Sequence, residues 1–198
     1  MSPAGRCRIA VIQGHPDPAP ERLCRALADA YAAGAAEAGH TVSRIDVAAL
    51  ELPLLRTQHD FERGALPEAL RPAHQAIAEA EHLFIVFPLW LGTMPALLKA
   101  FFEQLMRPGL AFAYRERGLP DKLLKGRSVR LVVTMGMPGF VYRWWYGAHA
   151  VKGLERNLLA FVGLGPIRRT LLGNVGGAGA AARERWLARM RALGARAQ

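Results

Sequence analysis

Hydrophobic and polar positions along the chain follow two different periods in turn, which predicts a regular succession of strands and helices. Short apolar runs bounded by glycine, proline or charged residues are typical of buried strands, and longer stretches with apolar residues three and four positions apart are typical of helices. The pattern predicts five strands, at residues 8–13, 41–46, 82–87, 129–134 and 167–172. It also predicts five helices, at residues 21–38, 67–80, 95–106, 148–161 and 180–195.

The order of these elements indicates an α/β fold with a doubly wound parallel sheet. Strands and helices alternate throughout, and the run at 82–87 is apolar on both faces, as expected in the middle of such a sheet. Nothing in the composition marks a linker, so we expect a single domain over residues 1–198. Ligands of this fold class bind beyond the carboxyl ends of the strands. The loops after the first, third and fourth strands are therefore the candidate functional segments.

Two longer connections, at residues 52–66 and 109–126, contain proline, glycine and charged residues. Loops of this length often form rims or lids of binding sites, but they also occur as plain surface excursions. The sequence leaves both interpretations open.

The chain is strongly basic, with a formal net charge of +10, and arginine accounts for 22 of its 26 basic residues. Because these arginines are scattered, a solvated basic surface is the favoured interpretation, with a polyanion site as the alternative. We expect no nucleic-acid partner. No apolar run reaches the roughly 18 residues that a membrane-spanning helix needs, and no secretory leader is apparent, so we expect a cytoplasmic protein without stable membrane insertion.

Several kinds of catalytic site are excluded by the residue inventory. None of the three serines lies in a G-x-S-x-G turn, and no Walker A lysine loop is present. The histidines have no metal-binding spacing, and two cysteines 17 positions apart cannot build a zinc ribbon or a disulfide framework, so we expect no metal site. A G-x-G-x-x-A match at residues 177–182 lacks the ribose-binding acid of a dinucleotide site and is interpreted as a loop entering the last helix.

The loop after the first predicted strand, residues 14–22, is rich in proline and enters a helix. Pro20 suits a first helical turn, where free N–H groups and the helix dipole favour a phosphate, and Arg22 could add positive charge. A proline-stiffened turn without a ligand is an equally good interpretation of the same residues.

The loops after the third and fourth predicted strands carry aromatic and flexible residues to the same edge of the sheet. The third strand leads into a loop with Trp90 between two prolines, which suits a flat apolar ligand. The fourth leads into the segment 134–139, followed by the aromatic stretch 140–146. Such aromatics more often fill a core or a dimer interface than take part in chemistry.

Three motifs in this order resemble the flavodoxin-like NAD(P)H:quinone oxidoreductase family. They are Gly14-His15-Pro16 after the first strand, the segment from Phe87-Pro88-Leu89-Trp90 to Lys99 after the third, and Thr134-x-Gly136 followed by Tyr142 and His149. The resemblance covers nearly the whole chain and implies a flavodoxin-like, five-stranded sheet in the order 2-1-3-4-5. It also implies a non-covalently bound flavin and a homodimer.

The resemblance assigns expected roles to particular residues. The flavin phosphate is expected at His15, Ala19, Pro20, Glu21 and Arg22. The flavin ring is expected against Pro88, Leu89, Trp90 and Leu91 on one side and near Thr134, Met135, Gly136, Met137 and Tyr142 at its edge. Tyr142 and His149 are the expected catalytic residues, which stabilise charge on the reduced flavin.

This chain departs from the family pattern at three places. The first loop lacks the Ser, Thr or Asn side chains that usually contact the phosphates, so backbone N–H groups and Arg22 would carry more of that contact. Leu91 stands where the family often has a second aromatic residue. The spacing between Tyr142 and His149 is one residue longer than in mammalian members of the family.

The expected function is NAD(P)H-dependent transfer of two electrons through bound flavin to a quinone or a similar flat acceptor. The resemblance slightly favours FAD over FMN. The alternatives are an FMN reductase, an ancillary regulatory flavoprotein of an ion-efflux system, and a flavin-free binding protein that uses the arginine-rich surface.

Overall fold

A computed structural model describes residues 5–198 of the protein. Its strands are Arg8–Gln13 (β1), Thr41–Asp46 (β2), His82–Pro88 (β3), Phe112–Ala113 (β4), Asp121–Lys122 (β5), Ser128–Thr134 (β6) and Ile167–Leu172 (β7). Its helices are Leu23–Glu37 (α1), Gln58–Arg63 (α2), Arg71–Glu79 (α3), Ala96–Leu105 (α4), Gly139–Trp144 (α5), His149–Gly153 (α6) and Ala180–Gly194 (α7).

The central sheet has five parallel strands in the order β2-β1-β3-β6-β7, which confirms the expected doubly wound topology. β3 is buried along its whole length between β1 and β6, as its apolar sequence predicts. The carboxyl ends of β1, β3 and β6 therefore lie side by side, and the loops that follow them meet at one edge of the sheet.

Four short elements were not predicted from the pattern, and the helix predicted at 148–161 changes its type along its length. α2 lies in the connection 52–66, β4 and β5 form a small antiparallel pair in the connection 109–126, and α5 occupies the aromatic stretch. The helix predicted at 148–161 is α6 followed by a π-helical segment at Leu154–Leu159. These elements are too short for the apolar periodicity to be read in the sequence.

The connection 52–66 is held to the end of α4 by side-chain hydrogen bonds. Gln104 Nε2 donates to Pro53 O at 2.7 Å, and Arg107 Nη1 donates to Asp60 O at 2.7 Å. Phe61 packs against the core from the same connection. This loop is therefore tethered to the body of the protein.

Two hydrophobic layers cover the two faces of the sheet. One layer contains residues of α3, α4 and α6, and the other contains residues of α1 and α7. Within the second layer, Tyr31 stacks on Phe84 with a centroid distance of 4.0 Å. The helices α1 and α7 approach each other closely at Gly34 and Gly194, which leave no room for a side chain.

None of the helices in residues 5–198 combines the length and the apolar character needed to cross a membrane.

A polar side chain, His82, lies at the start of the central strand β3 and is 2% exposed. Its Nδ1 lies 2.7 Å from Ser128 Oγ. Burial, together with the positive charges of Arg130 and Arg168 and with His40, lowers the pKa of His82 to about 4.

We expect the stability of the protein to depend on pH through His82. The unfolded chain binds a proton at this residue below about pH 6.5, whereas the folded chain binds it only below about pH 4. The stabilisation is therefore complete above about pH 6.5 and is lost as the pH falls towards 4, by up to about 3 kcal/mol. Urea unfolding measures the free energy of unfolding at pH values across this range. As the pH falls from about 6.5 to about 4, this free energy should decrease less in His82→Gln than in the exposed control His59→Gln. Equal losses in the two variants would contradict the prediction.

Candidate functional site

The loop after β1 is built from hydrogen bonds between residues close in sequence. Gly14 N–H donates to Val86 O at 2.8 Å, which carries the chain from the end of β1 towards β3. His15 N–H then donates to Gln13 Oε1 at 2.5 Å, and Asp17 N–H donates to His15 Nδ1 at 3.0 Å. The loop therefore has a defined conformation and orients the His15 ring.

The carboxylate of Asp17 lies at the centre of this loop. It accepts hydrogen bonds from Ala19 N–H at 2.9 Å and from Arg22 Nε at 2.7 Å. The hydrogen bond from Ala19 N–H, with help from Arg22, lowers the pKa of Asp17. The loop thus holds an oxyanion, supplied by its own chain, just before the start of α1.

The start of α1 differs from the prediction. The helix begins at Leu23, so Pro20 and Glu21 lie in an exposed turn before it and Pro20 is not part of a first helical turn. Arg22 keeps an extended backbone, with ψ of 130°, while its side chain pairs with Asp17. The helix therefore begins two residues later than predicted, and the ion pair between Asp17 and Arg22 spans the turn that precedes it.

The loop after β3 forms a tight turn that carries Trp90 and Leu91. Trp90 and Thr93 exchange two backbone hydrogen bonds of 2.9 Å, and Leu91 and Gly92 between them have φ of 46° and 80°. Two consecutive positive φ angles are typical of a type I′ turn. The Trp90 ring meets the His15 ring edge to face at 5.8 Å, so this turn contacts the loop after β1.

Leu91 occupies a backbone conformation that favours Asn or Gly, and its side chain is fully exposed. We expect Leu91→Asn to raise the free energy of unfolding by about 1 kcal/mol, because it creates the Asn-Gly pair preferred in this turn. Urea unfolding measures the change. The control is Leu119→Asn, at another exposed leucine without a positive φ. A Leu91→Asn variant no more stable than this control would contradict the prediction.

Thr134, at the end of β6, contacts both the loop after β3 and the first turn of α1. Its carbonyl oxygen accepts a hydrogen bond from Leu89 N–H at 2.7 Å, and its hydroxyl lies 3.4 Å from the thiol of Cys24 in α1. Of the next residues, Met135 is buried in the core, whereas Gly136 is exposed and Met137 is half-buried.

Tyr142 connects α5 to the loop after β3. The ring is 2% exposed, and the hydroxyl donates to Gly92 O at 3.1 Å. Burial raises the pKa of Tyr142, so the hydroxyl keeps its proton and remains a hydrogen-bond donor near neutral pH.

An open, mostly apolar cavity of about 490 Å³ lies between these segments. Four of its lining residues are among those predicted from the sequence: Leu91, Met137, Tyr142 and His149. The predicted residues of the loop after β1 do not line this cavity. His15 contacts Trp90, which precedes the lining residue Leu91 in the chain. Pro88 is buried at the end of β3, beside Thr134.

Four residues of this region were not predicted as site residues. Gly92, Tyr146 and Ala150 line the cavity, and Asp17 holds the first loop together. Asp17 carried a usable signal, because an Asp that precedes a turn commonly accepts a hydrogen bond from the N–H two residues later. The sequence carried no comparable signal for Tyr146, because nothing in the aromatic stretch 140–146 distinguishes a ring that lines the cavity from the rings beside it.

Residues 5–198 contain no group of three or more His, Cys, Asp or Glu side chains placed to hold a metal ion.

The sequence matches the family described as Flavodoxin-like fold over residues 7–193. It is 33% identical to the FMN-dependent NADH:quinone oxidoreductase 2 of Rhizobium etli over 161 residues, covering 75% of this chain and 78% of that protein. A shorter match to an uncharacterized NAD(P)H oxidoreductase of Haemophilus influenzae is 34% identical over 74 residues, covering 37% of this chain and 36% of that protein.

Solved structures share the architecture of the whole chain. The NAD(P)H:quinone oxidoreductase of Methanothermobacter marburgensis aligns with a TM-score of 0.78 and 23% identity, covering 98% of this chain and 100% of that one. An FMN-dependent NADH-azoreductase of Bacillus anthracis, solved in complex with FMN, aligns with a TM-score of 0.74 and 16% identity, covering 95% of this chain and 97% of that one. At these identities the likeness concerns the fold alone.

Proposed function

This chain belongs to the flavodoxin-like fold family, and from that membership we propose that it is an NAD(P)H-dependent flavin oxidoreductase. The proposed reaction passes two electrons through bound flavin to a quinone or a similar flat acceptor. The relatives named as NADH:quinone oxidoreductases support this reaction. We further propose that residues 1–198 form one flavin-binding domain.

The observation that carries the proposal is the contact between an oxyanion-holding loop and an aromatic loop. In the first loop, the Asp17 carboxylate accepts hydrogen bonds from Ala19 N–H and Arg22. The His15 ring of this loop contacts the Trp90 ring of the second loop, with 5.8 Å between the ring centroids. A flavin nucleotide joins a phosphate to a flat ring, so it needs both kinds of contact side by side. The pairing of these two loops suits such a ligand.

The residues at the first loop fit a phosphate. The Nε2 atom of Gln13 is buried at the beginning of the loop and has no hydrogen-bond partner within residues 5–198. The first N–H groups of α1 lack acceptors inside the helix, as at any helix start. In the proposal, the phosphate displaces the Asp17 carboxylate and takes over its donors, Ala19 N–H and Arg22.

The roles proposed for the other site residues follow from their positions. A bound flavin supplies the hydride acceptor and passes the electrons on. The ring packs against Pro88, Leu89, Trp90 and Leu91, with Thr134 to Met137 near its edge. Tyr142 and His149 line the cavity, and the Tyr142 hydroxyl can stabilise negative charge that develops near the ring once it turns its single proton from Gly92 O towards the flavin. Glu21 and Pro20 contribute backbone at the entrance to the phosphate loop.

We propose FMN as the flavin, in place of the FAD that the sequence resemblance slightly favoured. The relatives from Rhizobium etli and Nitratidesulfovibrio vulgaris are named FMN-dependent, and the aligned Bacillus anthracis structure contains FMN. None of this supports a preference for FAD. The choice between NADH and NADPH is left open in the proposal.

We also propose that the protein forms a homodimer. The side chains of Phe140, Trp144, Trp145 and Tyr146 are all more than half exposed. Exposed aromatic residues clustered within seven positions of the chain are typical of interaction sites. Since Tyr146 also lines the cavity, a second subunit at this surface would help to enclose the acceptor.

The test is to purify the protein, record its visible absorption, and identify any released chromophore by chromatography after acid treatment. We expect flavin absorption and FMN, and we expect the protein to oxidise NADH or NADPH in the presence of a soluble benzoquinone. A colourless protein that also fails to bind added FMN, riboflavin or FAD would contradict the proposal.

A further inference from the structure

A group of polar residues lies at the amino-terminal ends of the central strands, opposite the edge that carries the proposed flavin site. His82 of β3 pairs in register with Ser128 of β6, and Arg130 of β6 pairs with Arg168 of β7. Alternation along the strands places all four on the face covered by α1 and α7. They adjoin apolar residues of the same face such as Phe84 and Val132.

Two buried atoms in this group have no hydrogen-bond partner within residues 5–198. They are Nε2 of His82 and Nε of Arg130, on side chains that are 2% and 7% exposed as whole residues. The contact of Arg130 Nη1 with Thr170 Oγ1 is long, at 3.5 Å. Buried polar groups in folded proteins are nearly always paired, so these two atoms indicate a missing acceptor or donor.

The positive charge of the group is also unbalanced. None of the ion pairs within residues 5–198 includes Arg130, Arg168, Arg189 or Arg196. Burial, with the charges of these neighbouring arginines, lowers the pKa of Arg130, yet a guanidinium keeps its proton in proteins. Burying an unpaired charge is costly, and a bound anion would offset that cost.

A cavity of about 260 Å³ opens beside the group. Its lining includes His82, Ser128, Arg168 and Arg196, the last from the turn that follows α7. The space accommodates a phosphate or pyrophosphate group, and arginine forks suit such oxyanions in geometry and charge. Six residues of β6 separate Ser128 from Thr134, so this cavity lies roughly 20 Å from the proposed flavin site.

We propose that this cavity is a second, separate binding site for a small anion that carries a phosphate group. Arg168 and Arg196 contact the oxyanion, and Arg130 supplies charge from beneath. Ser128 Oγ donates to His82 Nδ1, so the neutral ring carries its proton on Nε2 and donates it to the oxyanion. Because the polar atoms of His82 and Arg130 are recessed, a small group reaches them better than a nucleic-acid backbone does. The proposal does not depend on the function proposed above.

Isothermal titration of the full chain with pyrophosphate tests the proposal, at constant ionic strength and with excess FMN to occupy the first loop. We expect one site in the wild type and a dissociation constant at least about tenfold higher in Arg168→Gln and in Arg196→Gln, as for loss of one charged contact. Arg117→Gln, at an exposed loop arginine outside every ion pair, is the matched control and should bind like the wild type. Arg130→Met should also bind pyrophosphate more weakly than the wild type and should melt at a higher temperature than the wild type when no anion is added.

A second titration separates this site from the flavin site. In the absence of FMN, Arg22→Ala should bind pyrophosphate as tightly as the wild type does. Adding Arg168→Gln to Arg22→Ala should weaken this binding by the same factor as in the wild type. Both results are expected even if the protein binds no flavin. Pyrophosphate binding that is absent in the wild type, or equal in all variants, would overturn the proposal. The proposal would also be overturned if the protein bound a short DNA duplex but not pyrophosphate, and if Arg168→Gln weakened the binding of the duplex.

Discussion

Replacing Arg22 with alanine is expected to weaken FMN binding by about 10- to 100-fold, the loss expected for a charged hydrogen bond to a phosphate. In the structure the Arg22 guanidinium holds the Asp17 carboxylate, with Nε at 2.7 Å. If the phosphate of FMN takes the place of this carboxylate, the variant loses its main side-chain cation and leaves Asp17 unpaired beside the ligand. Quenching of flavin fluorescence on titration with protein measures the dissociation constant.

Riboflavin, which has no phosphate, is the internal control for this prediction. Its affinity should be the same for the wild type and for Arg22→Ala. The variant Asp17→Asn should bind FMN more tightly than the wild type, because it removes a competing negative charge from the loop. Equal losses for FMN and riboflavin in Arg22→Ala would mean that Arg22 shapes the loop and does not contact the phosphate.

Replacing Gly34 with alanine is expected to lower the free energy of unfolding by about 4 kcal/mol, at the upper end for an overpacked contact. A Cβ atom at Gly34 of α1 would lie 2.0 Å from Arg191 O and 2.7 Å from Arg191 C in α7. Both are backbone atoms, so the clash is relieved only if the helices separate. Helix propensity alone would make the alanine variant more stable by about 1 kcal/mol. The clash with the Arg191 backbone is expected to outweigh this gain, so the free energy of unfolding should fall.

The matched control is Gly177→Ala, at a glycine that has a negative φ and open space around it. Its free energy of unfolding should stay within about 0.5 kcal/mol of the wild type. Urea unfolding followed by far-ultraviolet circular dichroism compares the two variants. A Gly34→Ala protein as stable as Gly177→Ala would show that α1 and α7 do not pack as closely in solution as in the structure.

The strands of the central sheet were predictable because their signal is local. Runs such as 83–87 are apolar at every position, and the structure bears out all five predicted strands to within one residue at each end. The short elements were not predictable for the opposite reason. α5, for example, is only six residues long, and its sequence is rich in aromatic residues that suit several structures equally well.

The sequence predicts that the loops after β1, β3 and β6 meet at one edge of the sheet, because parallel strands joined by helices bring their carboxyl ends together, and the strand order confirms this. It did not reveal the contacts within the candidate site. The turn before α1 involves an ion pair between Asp17 and Arg22, and the hydrogen bond from Tyr142 to Gly92 joins residues 50 positions apart. Contacts between loops depend on their relative position in space, which periodicity does not report.

The sequence by itself therefore determines the order of the elements, the parallel sheet and the three loops that meet at its edge, since each follows from periodicity and connectivity. Only the tertiary structure decided which polar side chains become buried and which glycines meet another backbone. His82 and Arg130 are ordinary members of apolar strands until α1 and α7 cover that face, and Gly34 is an ordinary helical residue until α7 packs against it. Burial and close approach depend on neighbours that are distant in the chain, so they become visible only after the layers are assembled.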